Sequence, residues 1–194
     1  MRTAAGRHEL NDQYHMMDRD KIKGFSLIEL LITLSILSIL LAVSLPNFQD
    51  TVESINTNSQ AKLLMTTLSL ARSEAIKRGT NVAICPTDNG LDCREGVWSS
   101  GWMVFVDTNG DATGGAGSVD VGDIVIRVYE RLGSGSALTF TGELIQYNNL
   151  GFSVSNSVQT LKLCPSTNNA LNAHAVVIGL SGRGRRVEAG LTCP

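Results

Sequence analysis

The sequence predicts an α+β protein: a long N-terminal helix, half membrane-spanning and half packed on a head, against an antiparallel β-sheet. Three observations predict it. An apolar block runs from Phe25 to Leu45 with one charge in it. Beyond Pro46, apolar residues recur at steps of three and four up to Gly79. After Thr80 the period falls to two, and Gly, Asn and Asp separate short runs.

Residues 1–24 read as a leader that is removed. Met17-Asp18-Arg19-Asp20-Lys21-Ile22-Lys23-Gly24 alone has the length of a short leader, so the expected start is Met16 or Met17, with a long tolerated leader as the alternative. The 21 residues 25–45 match a bilayer core of ~30 Å at ~1.5 Å per residue. Arg19, Lys21 and Lys23 precede the block and stay cytoplasmic by the positive-inside rule, which puts the head outside the cytoplasm. An ordinary anchor, a secretory signal cut after Ser44 and a buried core helix compete with this reading. The block exceeds the ~7–15 residues of a signal's apolar region.

Glu29 is the anomaly in the block. A carboxylate in a membrane helix needs a partner. A cut between Gly24 and Phe25 creates an α-amino group four residues before Glu29, and that amine can neutralise Glu29 of a neighbouring copy. The helix is then an assembly element as well as an anchor.

In residues 46–79, Ala61, Leu64, Leu68, Ala71 and Ala75 form one stripe, expected to be core, with Lys62, Arg72, Lys77 and Arg78 off it. Gly79 is the expected C′ stop. Residues 80–194 form the head. Its expected strands are Val82–Cys85, Trp102–Val106, Ile124–Arg131, Ala137–Thr141, Leu144–Asn148, Val158–Cys164, Ala175–Leu180 and Arg185–Ala189. Gly110 to Gly122 is expected to be a disordered loop, opened by a hairpin turn at Asn109-Gly110.

The net charge is −2, which excludes a globally basic nucleic-acid binder. Without the leader the balance is −3, from 11 basic and 14 acidic side chains. Anion binding must come from a local cluster. Cys85, Cys93, Cys164 and Cys193 allow three pairings. Closure of local loops favours Cys85–Cys93 and Cys164–Cys193, in keeping with an exported head. Free thiols or a metal site compete. No CxxC pair is present, and no metal is expected.

Gly24-Phe25-Ser26-Leu27-Ile28-Glu29-Leu30 resembles the class III signal of type IV pilins and type II secretion pseudopilins. The resemblance implies a prepilin peptidase that cuts after Gly24 and N-methylates Phe25. It makes Glu29 the assembly carboxylate and puts Pro46 where the family helix kinks. The implied location is the bacterial inner membrane, single-pass with a periplasmic head, then a pilus at the cell surface. The implied partners are other pilins, minor pilins and an assembly machinery with its own ATPase. The head resembles the GspH/FimT group through Ala71-Arg72-Ser73-Glu74-Ala75-Ile76, Cys85-Pro86 with Cys93, Gly101-Trp102-Met103-Val104-Phe105-Val106-Asp107, and Gly182-Arg183-Gly184-Arg185 before Cys193.

The site candidate is Ser181-Gly182-Arg183-Gly184-Arg185-Arg186. Glycine lets a backbone approach a phosphate closely and turn sharply, and arginine offers a planar fork to its oxygens. The pattern resembles the DNA-binding GRxR signature of FimT-type minor pilins. That implies contact of Arg183 and Arg185 with duplex DNA, Arg186 adjacent, and DNA uptake in natural transformation. A solvated turn competes, as does a GspH-like pseudopilin of type II secretion or an assembly-priming minor pilin without DNA binding. Lys77 and Arg78 are candidate auxiliary charges. Asp107, Asn109 and Asp111 resemble the opening of a calcium loop, but Ala112 and Ser118 stand where Gly and Glu are needed. Trp98 and Trp102 are stacking candidates, with core the preferred reading. His174 lies in an apolar run, and no catalytic motif or cofactor site is read.

Overall fold

The computed structural model describes residues 24–96, 98–188 and 190–193, with backbone alone for 43–47 and 134. Residues 1–23, which hold most of the expected leader, lie outside the description. The chain divides into two compact units, Met1–Val43 and Ser44–Pro194. Helix α1 is assigned over Leu27–Arg78.

In the first unit the helix carries Glu29 in its first turn, and the Leu30 N–H donates to Ser26 O. Leu27, Ile28, Leu30, Leu31, Ile32, Leu34 and their successors are exposed. The hydroxyls of Thr33, Ser35 and Ser38 donate to carbonyls of Leu30, Leu31 and Ser35. These three hydroxyls on the apolar rod are thus satisfied by its own backbone. Among the described residues no helix is long and apolar enough to cross a membrane. Side-chain description of this run stops at Ala42, about 22 Å from Leu27 at ~1.5 Å per residue. The end of the expected span and the expected kink at Pro46 lie outside it.

In the second unit, the stripe Ala61, Leu64, Leu68, Ala71 and Ala75 is buried. Burying a leucine contributes roughly 1.5–3 kcal/mol, so Leu64 and Leu68 do much to dock the helix. The Gly79 N–H donates to Ala75 O, and its φ of 68° is the left-handed stop that glycine takes without strain. At the other end of this stretch the Glu53 carboxylate accepts from Ser166 Oγ, Thr167 N and Thr167 Oγ1.

Eight strands follow: β1 Asn81–Pro86, β2 Trp102–Asp107, β3 Ile124–Tyr129, β4 Ala137–Phe140, β5 Ile145–Tyr147, β6 Gln159–Cys164, β7 His174–Ile178 and β8 Gly184–Val187. They form two antiparallel sheets, ordered β3-β2-β1-β5 and β4-β6-β7-β8. The helix stripe shares one core with Val82, Ile84, Trp102, Val104, Tyr147, Leu161, Val176 and Ile178. Trp98 and Trp102 are 3% and 0% exposed, which removes both as base-stacking platforms. Trp98 meets Phe140 edge-on, and Trp102 stacks on Tyr129 while its Nε1 donates to Thr67 Oγ1.

The disulfides Cys85–Cys93 and Cys164–Cys193 are present. Residues 110–122 differ from the expected disordered loop. The Asp92 carboxylate accepts from the backbone N–H groups of Cys93, Gly117 and Val119, and Ser118 Oγ accepts from those of Thr113 and Gly114. Desolvation raises the Asp92 carboxyl, but the backbone N–H groups of Gly117, Cys93 and Val119 together outweigh it and hold the group below the usual carboxylate range. Asn109-Gly110 does not close a two-residue hairpin. It starts the long β2–β3 connection, where the Gly110 N–H donates to Asp107 Oδ1.

Candidate functional site

The arginine-rich segment makes the turn into edge strand β8 and the strand's first half. The Gly182 N–H donates to Gly179 O at 2.9 Å, and the Gly179 N–H donates to Arg183 O at 3.2 Å. Gly182 has φ of 74°, the left-handed glycine of a bulged hairpin. It is buried, and a Cβ there would sit 2.2 Å from Gly151 O. The sharp turn expected of this glycine is present. The structure gives its bare Cα to the neighbouring β5–β6 loop.

Strand alternation sorts the rest. Gly184 is in register with Ile178 and Arg186 with Val176, both core residues, so this face of β8 looks toward α1. A Cβ on Gly184 would lie 3.1 Å from Leu68 Cδ1. Arg186 Nη1 donates to Asn58 Oδ1 of α1 at 2.7 Å, and Nη2 lies 2.7 Å from Glu188 Oε1. Its charge is met within the protein. Arg185 pairs with Val177 and points to the other face. Arg183 and Arg185 are exposed, and neither has an ion pair or side-chain hydrogen bond among the described residues. Lys77 and Arg78 both lie against Glu74, at 3.6 and 2.7 Å, which offsets part of their charge.

Sequence reasoning missed Arg72, which lay off the core stripe. Its Nε donates to Gly151 O at 2.8 Å, the carbonyl that abuts Gly182. Arg72 therefore braces the arginine turn. It also lines a cleft of about 270 Å³ between α1 and the turn, with Ser69, Ser73, Gly182, Arg183 and Gly184. Tyr147, packed nearby, is buried, and burial pushes its phenol well above the usual tyrosine range. On the other side of Arg186, His174 is buried with neither ring nitrogen hydrogen-bonded, and Nδ1 is 3.9 Å from Glu188 Oε1. Burial, then the Arg186 charge, holds His174 below the usual histidine range.

The processing candidates fall in the first unit. Gly24 precedes the helix, Phe25 is 79% exposed, and Glu29 is an exposed first-turn residue.

A helix with an apolar exposed N-terminal stretch, feeding a helix-backed pair of antiparallel sheets, defines a pilin-like fold. The family profile described as Type II transport protein GspH matches residues 60–182, well over half of the chain. The profile described as Prokaryotic N-terminal methylation motif matches residues 19–45. The chain belongs to the GspH family. Among solved structures it is similar to the type IV minor pilin FimU of Pseudomonas aeruginosa strain PAO1 in two crystal forms. In the first the TM-score is 0.54 at 17% identity, covering 70% of this chain and 91% of that one. In the second they are 0.52 and 18%, covering 70% and 95%. The minor pseudopilin EpsH of the Vibrio cholerae type 2 secretion system superposes with a TM-score of 0.48 at 15% identity, over 70% and 99% of the two chains. Comparison with curated protein sequences gives no match.

Proposed function

We propose that the chain is a minor type IV pilin of FimT type whose head takes up extracellular DNA. Its contacts are Arg183 and Arg185, to backbone phosphates of duplex DNA, without sequence preference. The observation that carries this reading is the exposure of Arg183 in the turn and Arg185 on edge strand β8, neither with an ion pair among the described residues, while Arg186 beside them is neutralised. An arginine left unpaired at a surface keeps its full charge and its fork of donors for an anion. Gly182 and Gly184 act by letting the turn and strand pack closely enough to present the two side chains.

The N-terminal block supports the rest of the reading. A prepilin peptidase cuts after Gly24 and methylates Phe25. The helix holds the protein in the inner membrane with its head in the periplasm, then packs into a pilus through Glu29 and the new amine. The role is structural and binding, and assembly draws its energy from a partner ATPase. A second reading, a minor pseudopilin of a type II secretion system, is favoured by the match to the Type II transport protein GspH family. A gel shift with duplex DNA at low salt separates the two. The full chain in detergent is expected to retard DNA, and Arg183→Gln with Arg185→Gln to abolish it. Equal retardation by both proteins defeats the DNA reading.

A further inference from the structure

We infer that the cleft between α1 and the Gly182–Gly184 turn is a seat for one phosphate group, with Arg72 a contact on the helix side. The inference extends the DNA reading and rests on it only for the source of the phosphate.

The helix wall of the cleft carries Ser69, Arg72 and Ser73 among the apolar Met65, Leu68 and Ile76, and the other wall is Gly182, Arg183 and Gly184. Two arginines line it and no acid does. Glu74, the acid next to Ser73, is held by Arg78 and Lys77 on another face. Arg72 gives Nε to Gly151 O, which leaves its two Nη groups as donors. Arg183 has no side-chain hydrogen bond or ion pair among the described residues, so its fork is free to donate. Two arginines lining one cleft suit an anion with several oxygens at tetrahedral angles, which is a phosphate monoester or diester. A cleft of about 270 Å³ has room for one phosphate group. The seat therefore reads backbone and carries no sequence information. It also changes the membership of the basic site: Arg72 joins Arg183 and Arg185, and Arg186 leaves.

The test has two arms on the full chain in detergent micelles. In the first, inorganic phosphate is titrated at constant ionic strength while the amide NMR signals of Gly182 and Gly184 are followed. Saturable shifts are expected. Arg72→Gln should weaken the apparent affinity at least tenfold. Because that variant also loses the bond to Gly151, Ser73→Glu is the second probe. It leaves the brace intact, places an acid in the cleft and should abolish saturation. In the second arm, binding of a duplex is measured across a salt series. Arg72→Gln should lower the magnitude of the log–log slope by about 0.9, the share of one phosphate contact. Unsaturable shifts in the wild type, or shifts and slopes unchanged in both variants, overturn the seat even if the duplex still binds. Saturable phosphate binding with no duplex binding keeps the seat and removes DNA as its source.

Discussion

Replacing Gly182 by alanine separates packing from ligand approach. A Cβ at this position would lie 2.2 Å from Gly151 O and 3.1 Å from Tyr147 Cε1, at a φ of 74°. The obstructing oxygen is backbone and cannot rotate away. The left-handed conformation costs alanine roughly 1–2 kcal/mol, and forcing atoms into a filled space costs roughly 1–3 kcal/mol more. The expected loss is about 2–5 kcal/mol. At about 2–4 °C per kcal/mol for a head of this size, the melting temperature should fall by roughly 4–20 °C. Gly184→Ala is the control, since its Cβ would meet the ends of Leu68 and Met65 at 3.1 and 3.3 Å and no positive φ is involved. Its cost should stay within about 1 kcal/mol. Thermal unfolding followed by circular dichroism reads both. A Gly182→Ala melt within about 2 °C of wild type, with DNA binding lost, would return the glycine to phosphate approach and refute the packing account.

Three further outcomes are expected. Asp92→Asn should free residues 113–119, seen as faster amide exchange at Gly117 and Val119; because the Asp92 carboxyl is held low in the fold, its stabilisation is present above the unfolded carboxylate value of about 3.8 and is lost as pH falls below it. Removing Cys164–Cys193, with a separation of 29, should destabilise by about 3.6 kcal/mol, against about 2.5 kcal/mol for Cys85–Cys93 with its separation of 8, measured by chemical denaturation of the paired serine variants. His174 is held below 6.5, so the unfolded chain binds its proton first; stability should decline as pH drops below about 6.5, and His174→Gln should flatten that decline.

The local parts of this molecule were legible and the non-local ones were not. The stripe from Ala61 to Ala75 repeats at the helical period, and all five residues are buried. The eight strands follow alternation and turn residues, and each expected segment overlaps an observed one. Their division into two sheets is a matter of which distant segments pair, which no local period encodes. The same limit governs the site. Arg183, Arg185 and Arg186 look alike in sequence. Only the fold brings Asn58, 128 positions away, onto Arg186. Strand alternation offered a signal, since neighbours in β8 must face opposite ways. Gly182 meets Gly151 and Arg72 through loop packing that neither residue type announces. The Gly110 to Gly122 loop reads as disordered by composition, yet one aspartate upstream supplies its backbone with acceptors.

The most direct test of the central claim is a comparison of Arg183→Gln, Arg185→Gln and Arg186→Gln, one at a time, in duplex binding across a salt series. The account predicts that each of the first two lowers affinity and reduces the magnitude of the slope by about 0.9, and that Arg186→Gln leaves the slope unchanged. Equal losses from all three, or a loss confined to Arg186, would contradict it.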